Sequence, residues 1–544
     1  MVKGTSTSED TGSPVGMGKP SVAALGVLAL ALGTLQSVVE PALPLLQREL
    51  GVGPAEGALI SSLLFITGTV VAPVAGKLGD CYGGKRVLIR LMVVVSAGGL
   101  FAGLAPNLPV LLLGQVLQGA MVGALPLSFI LVRKHLTAGE SQAAIGVVVA
   151  LFTGGGVVGT LIAGPITERL SWHWMFTLPT IVIIAMTSVL IRLMPHDPPI
   201  ESDDRIDWPG VALLSGTLLA FMLGLGAVTG AGLPPGAIGA IVLVVATLAT
   251  GWVVVERRAT SPMVDLRMLA KPTMWNSYAL TFAISISFGM LVFMLPQLFA
   301  VSADGYGFGI STTDIGLFLL PGAIAGAAAD SVGGIAARRF GPRAVVITGL
   351  VVTAATMISL ALLHDAAWQL VLAKVLTGFA AGVGTTALLA GIASAVDARD
   401  TGIATSLLVV TRLIGTAVGA QAGGAILATA ADPATGQPPE SAFVTGFAVA
   451  GLVAALSLLV VRIRRSEPRH DASQSPEGPR HGRATADPAR SRQHQEFGDG
   501  DGRSGDLVPV VCGRSATTGD FSAQPDDRRA FCHDHELNSH TRHH

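Results

Sequence analysis

Gly76-Lys77-Leu78-Gly79-Asp80-Cys81-Tyr82-Gly83-Gly84-Lys85-Arg86 is a short, glycine-rich, charged break between two long apolar runs. An altered copy, Gly334-Ile335-Ala336-Ala337-Arg338-Arg339-Phe340-Gly341-Pro342-Arg343, lies 258 residues further on. Glycines permit a tight turn and a close approach of helices. Two copies of one polar joint, about half a chain apart, point to a duplicated membrane protein.

The composition agrees with that reading. Of 544 residues, 50% are hydrophobic and 13% charged, and the mean hydropathy is +0.61. A soluble chain carries roughly 25% charged residues, so the main solvent here is lipid. The net charge of −1 names no nucleic-acid partner. Three cysteines, Cys81, Cys512 and Cys532, make no disulfide framework. The polar N-terminus, 1–20, is followed by an apolar run longer than a signal core, which is read as a retained first span.

A transmembrane helix needs about 20 mostly apolar residues. Runs of that kind fall at 21–45, 57–76, 87–105, 109–132, 142–164, 175–194, 208–229, 236–255, 275–298, 313–335, 344–363, 368–393, 402–427 and 442–462, fourteen in all. With the N-terminus inside, the inner loops hold fifteen Lys and Arg, among them Lys77, Lys85, Arg86, Arg133, Lys134, Arg205, Arg267, Lys271 and Arg399, against Arg48 and Arg169 outside. The positive-inside rule therefore places both termini in the cytoplasm. The 466–544 tail is rich in Pro, Gly, Ser and charge and reads as disordered. Its histidines match no metal-ligand spacing, and no metal is expected.

The repeat extends beyond the joints. Span four carries Gln115-Val116-Leu117-Gln118-Gly119 and span twelve Lys374-Val375-Leu376-Thr377-Gly378. Span five has Gly155, Gly159 and Ala163, and span thirteen Gly415, Gly419 and Gly423, at four-residue spacing. Offsets of 258 to 260 make spans 1–6 and 9–14 matching halves, with spans 7 and 8 inserted. The domains are then 1–20, a six-helix bundle at 21–194, a linker with two inserted helices at 195–273, a second six-helix bundle at 274–465 and the tail. Parallel repeats of six spans are one way secondary transporters are built.

These residues resemble a known family. The first joint is similar to the Gly-x-Leu-Ala-Asp-Arg-x-Gly-Arg-Lys signature of the major facilitator superfamily, matched by Gly76, Leu78, Asp80, Gly83 and Lys85. Val255-Glu256-Arg257-Arg258, Ser261-Pro262 and Asp265-Leu266-Arg267 resemble the phrase that leads into span nine in its fourteen-span drug:proton antiporters. The resemblance covers about 20–465 and implies an all-α polytopic membrane protein with the major facilitator fold, two six-helix bundles plus two inserted helices. It also implies that Gly76, Asp80, Gly83, Lys85 and Arg86 form a conformational hinge, with Asp80 latching onto the start of span thirteen. Gly155, Gly159 and Ala163 resemble the antiporter signature of span five, with Thr160 at the usual proline.

Ionisable residues inside spans are costly and usually face a cavity. Glu40, Asp330, Lys374 and Arg412 are the proton-coupling candidates, and Gln36, Gln115 and Gln118 the cavity candidates. Against the family's span-one phrase, Leu35 stands at the usual acid and Glu40 at an asparagine, and Gln115 replaces the span-four arginine. The expectation is that Glu40 takes over protonation, with Lys374 or Arg412 as its cationic neighbour. There is no phosphate-binding Gly-x4-Gly-Lys-[Ser/Thr] loop and no catalytic constellation, so neither an enzyme nor an ATP-driven pump is expected. The reading is a monomeric exporter of a small organic compound in the cell membrane, driven by protons and needing no cofactor. The rivals are an importer or facilitator of the same superfamily, and a non-transporting sensor or scaffold.

Overall fold

A computed structural model of the chain describes residues 17–463 apart from 196–206, 231–232, 260–271, 304, 394–400 and 433–435. The 466–544 tail and the loop cations Arg205, Arg267, Lys271 and Arg399 lie outside the described residues. Within them the secondary structure is helical, with no strand.

The helices are α1 (Lys19–Ser37, continued by Val39–Leu50), α2 (Pro54–Tyr82), α3 (Gly84–Gly103), α4 (Leu108–Gln118, a 3-10 turn Gly119–Gly123, then Ala124–His135), α5 (Ala138–Arg169), α6 (Trp172–Leu193) and α7 (Trp208–Gly230). They continue with α8 (Pro235–Arg258), α9 (Pro272–Ala300), α10 (Thr312–Phe340), α11 (Pro342–Leu362), α12 (Ala367–Ala393), α13 (Thr401–Ala430) and α14 (Glu440–Ile463). Thirteen are long and apolar enough to cross a membrane. The other, α7, has 23 residues. The chain is a multi-pass membrane protein. Several helices outrun their apolar cores; α10 spans 29 residues, because polar ends continue the helix past the lipid. Sequence punctuation sets the starts. Pro54, Pro235 and Pro342 are first residues, where a missing N–H costs nothing. Asn107 Oδ1 accepts from Val110 N at 3.2 Å at the head of α4. α1 breaks at Val38, three residues before Pro41, whose absent N–H leaves the Ser37 carbonyl without its helical donor.

The two polar joints are the same structure. α2 turns into α3 at Gly83, with φ 87°, and α10 turns into α11 at Gly341, with φ 82°. Side-chain-bearing residues rarely adopt that backbone. Alanine at Gly83 or Gly341 is expected to destabilise by about 1–3 kcal/mol. Gly76, whose added Cβ would meet open space, should accept alanine without loss; melting midpoints of the purified variants check both. Beside the first joint, Lys85 Nζ donates to Ile191 O at 3.0 Å and Met194 O at 2.6 Å. A cation thus satisfies the last carbonyls of α6 and meets the negative end of its dipole.

The halves share one packing plan. In the first, α1 packs on α5 and α6, α3 on α4 and α6, and α2 on α4; in the second, α9 packs on α13 and α14, α11 on α12 and α14, and α10 on α12. Close crossings of α1 with α5 and of α9 with α13 rest on glycines. Gly155 abuts the Leu30 carbonyl and Gly33 that of Phe152; Gly419 abuts the Ile286 carbonyl and Gly289 that of Thr416. Gly159 likewise meets the Thr34 carbonyl and Gly415 that of Phe282, so both ladders keep their four-residue spacing in the crossings.

The inserted pair packs through α7, which meets α2 and α13 at the seam between the halves, while α8 lies on α7. Val242, Leu243 and Val244 of α8 are 51–68% exposed. Such an apolar outer surface suits lipid.

Candidate functional site

A cavity of about 330 Å³ lies between the halves, lined by α1, α2 and α5 on one side and α9, α10, α12 and α13 on the other. That size suits a small organic molecule. Phe65, Phe152 and Phe288 supply apolar wall, and Ser37, Ser61, Thr153, Ser285 and Thr385 supply hydroxyls. The charged side chains on the described lining are Glu40, Lys374 and Arg412.

Lys374 Nζ, on α12, donates to Glu40 Oε1, on α1, in a short ion pair that crosses from one half to the other. The lysine side chain is 5% exposed and the glutamate 18%. Lys374 also sits 5.5 Å from the centre of the Phe288 ring, a favourable cation–π position. Gly322 of α10 leaves room for the lysine stem, since a Cβ there would collide with Lys374 Cγ. The α1 break helps to place the acid. Pro44 has no N–H, so the Glu40 carbonyl lacks its helical donor and the helix can bend at that turn.

The cavity is sealed at the end away from the joints. There Glu168 of α5 accepts from Thr313 N at 2.9 Å and from Thr313 Oγ1 at 2.7 Å. Gly164 lies against Thr313, and Gly316 against the Thr160 carbonyl. Gln297 donates to Gln47, and Gln421 Nε2 to Ser62 Oγ at 3.0 Å. Closer to the joints, Thr153 and Val157 of α5 and Ala323 and Gly326 of α10 line the cavity. Glu168→Ala removes two of the bonds that hold the sealed end. Each is worth about 1 kcal/mol net, so losing both is expected to shift the population by about thirtyfold toward opening at that end. A cysteine placed at Val157 should then react more slowly with a maleimide supplied from the joint end.

The family model for the Major Facilitator Superfamily matches residues 25–329 and 277–497. The chain belongs to the Major Facilitator Superfamily. The chain is 29% identical over 411 residues to an uncharacterised MFS-type transporter of Mycobacterium tuberculosis, with 74% of this chain and 58% of the relative covered. The chain thus spans under three-fifths of that relative's length. It is 26% identical over 404 residues to a uridine/deoxyuridine transporter of Lactococcus lactis (72% of this chain, 83% of the relative). It is 28% identical over 347 residues to the putative multidrug resistance protein MdtD of Salmonella paratyphi B (63% and 72%). The crystal structure of the nucleoside transporter NupG shares the fold at 12% identity and a TM-score of 0.60, covering 81% of this chain and 99% of that one. The family is one of transporters, not enzymes.

The facilitator fold distributes the residues singled out by sequence unevenly. Glu40, Lys374, Arg412 and Gln36 come together in the cavity. Of the two cations, Lys374 is the one on Glu40. Leu35 is fully buried in the core. Gln115 and Gln118 are 1% and 0% exposed and lie off the described cavity lining, inside the first half. Gln118 Nε2 donates to the Gly98 carbonyl at 3.2 Å, tying α4 to α3. The side chains of Asp80 and Asp330 lie outside the described residues, so the latch reading of Asp80 gains no geometry here. Arg86 is exposed beside the joint. Among the described residues no group of three metal-ligating side chains occurs.

Glu168, Gln47 and Gln297 were not legible as a seal. Each is an ordinary polar residue near a helix end, and its partner is remote in sequence, 145 residues away for Thr313. His364 escaped likewise. It is buried, with Nε2 3.0 Å from Glu440 Oε1 and Nδ1 3.0 Å from the Leu360 carbonyl, joining α11 to α14.

Proposed function

We propose that this chain is a proton-coupled secondary transporter that exports a small organic compound across the cell membrane by alternating access. Glu40 is the proton-carrying acid and Lys374 its exchange partner. The observation that carries the reading is the Glu40–Lys374 pair, which sits inside the cavity and joins α1 to α12 across the halves. With Glu40 ionised, the pair holds the halves together around the cavity. A proton on Glu40 removes that attraction and lets them separate. The ion gradient supplies the energy, so the cycle needs no organic cofactor, and a monomer contains the whole path.

The lysines and arginines at the joint end read as cytoplasmic under the positive-inside rule. By that orientation the end sealed here is the outer one, and both termini are inside. Support for the outward direction comes from the likeness to MdtD, whose name is that of a putative multidrug resistance protein. The test uses everted membrane vesicles with an imposed, acid-inside pH gradient and a panel of labelled organic solutes. Uphill accumulation of a solute that collapses with a protonophore is the expected result. Accumulation driven instead in right-side-out vesicles, acid outside, would reverse the direction and favour uptake, the direction to which the uridine/deoxyuridine relative lends weight.

A further inference from the structure

The charges around the cavity do not cancel. Glu40 and Lys374 neutralise each other, but Arg412 lines the same cavity with no ion-pair partner among the described residues. Its side chain is exposed, and the space beside it is the cavity. Arg412 stands about 16 Å from the start of a helix about 45 Å long, by the usual rise per residue. A charge at such a depth is costly. Arginine cannot lose its proton to escape that cost, so the guanidinium needs a counter-charge. The described lining offers none to spare.

Resting on the reading that this cavity carries the substrate, we infer that the substrate class is a small organic anion. Its carboxylate or comparable oxyanion pairs with Arg412, and its apolar body lies against Phe65 and Phe152. A planar guanidinium matches a carboxylate with two parallel hydrogen bonds. The neighbouring aromatic rings favour a flat, apolar remainder. A cationic drug would meet repulsion from Arg412 and would have to take Glu40 from Lys374. A neutral one would leave Arg412 without a counter-charge. The anion leaves the Glu40–Lys374 pair free for its own role.

Three probes of one shape separate these cases: 1-naphthoate, its methyl ester and 1-naphthylmethylammonium. Equilibrium dialysis against the purified full-length protein in detergent should give naphthoate an affinity roughly tenfold or more above either analogue, the size of one charge-assisted bond. That preference should shrink with added salt. Arg412→Gln should erase it, and Arg412→Lys should keep most of it. Tighter binding of the ammonium or the ester, or an anion preference that survives Arg412→Gln, would overturn the inference. If Arg412→Gln does not fold, the wild-type salt titration decides, and a salt-independent preference counts against it. Binding is read without transport. Selective naphthoate binding with no proton-driven flux would therefore sink the transport reading alone, and flux of cations only would sink the anion inference alone.

Discussion

Glu40→Gln is expected to reduce proton-driven accumulation in vesicles to the level of empty liposomes while leaving solute exchange intact. The two readouts differ in what they ask of residue 40. Driven accumulation needs a group that carries a proton in one half of the cycle and releases it in the other. Exchange of labelled for unlabelled solute needs only a cavity that opens to both sides. Glutamine keeps the shape and still offers an oxygen to Lys374, so α1 and α12 stay in register. It cannot titrate.

The pair also bears on stability, and its two partners should not respond alike. Removing one member of a buried ion pair costs about 3–5 kcal/mol when the other is left charged and dry. Here Glu40 is 18% exposed and Lys374 5%, so the cavity's solvent reduces the penalty for stranding the acid. Lys374→Met should therefore cost less than Glu40→Leu, which strands the more buried cation. The double variant Glu40→Gln/Lys374→Met should recover much of the lost stability and none of the driven transport. Melting midpoints give the stability comparison, and an acid-inside pH gradient gives the other. Driven accumulation by Glu40→Gln equal to wild type would remove Glu40 from the proton path.

The second large effect concerns folding. Gly155→Val and Gly419→Val should each prevent accumulation of folded protein, with losses above about 3 kcal/mol, the upper range for overpacking a core. The reason is that the obstructing atoms are backbone. A Cβ at Gly155 would collide with the Leu30 carbonyl, and one at Gly419 with the Ile286 carbonyl. Neither can move without shifting a whole helix. In lipid no hydrophobic force draws helices together, so close backbone approach supplies much of their attraction. Gly154, the immediate neighbour of Gly155, is the control. A Cβ there would meet nothing within 4 Å, and alanine at that position should be neutral or stabilise by up to about 1 kcal/mol. Yield of monodisperse protein after detergent extraction measures all three.

Much of the architecture was legible because lipid imposes a coarse code. A span must be long and apolar, and Gly, Pro and charge must lie between spans. Hence the fourteen runs read from sequence match fourteen described helices, and Gly230 and Pro235 close and open α7 and α8. The joints were legible for a second reason: Gly83 and Gly341 serve a backbone angle that few other residues tolerate. The glycine ladders announced close packing but not which backbone each glycine meets. Gly155 meets the Leu30 carbonyl and Gly419 that of Ile286, and only the tertiary structure shows those partners.

At the site, sequence alone could nominate. Glu40, Lys374 and Arg412 stood out because charge is expensive in a span, whatever its surroundings. The amides could not be sorted that way, since a glutamine suits a cavity wall and a buried helix crossing about equally. Gln36 lines the cavity, while Gln118 reaches the Gly98 carbonyl in the core. What the chain determines by itself is therefore the set of spans, their doubling, the glycine joints and a short roster of costly charges, all of which follow from local chemistry in lipid. Tertiary structure alone decided that Glu40 meets Lys374, 334 residues away, that Arg412 faces the same space without a described partner, and that Glu168 closes on Thr313. Those are facts of how two six-helix halves lean on each other, and no spacing along the chain encodes that angle.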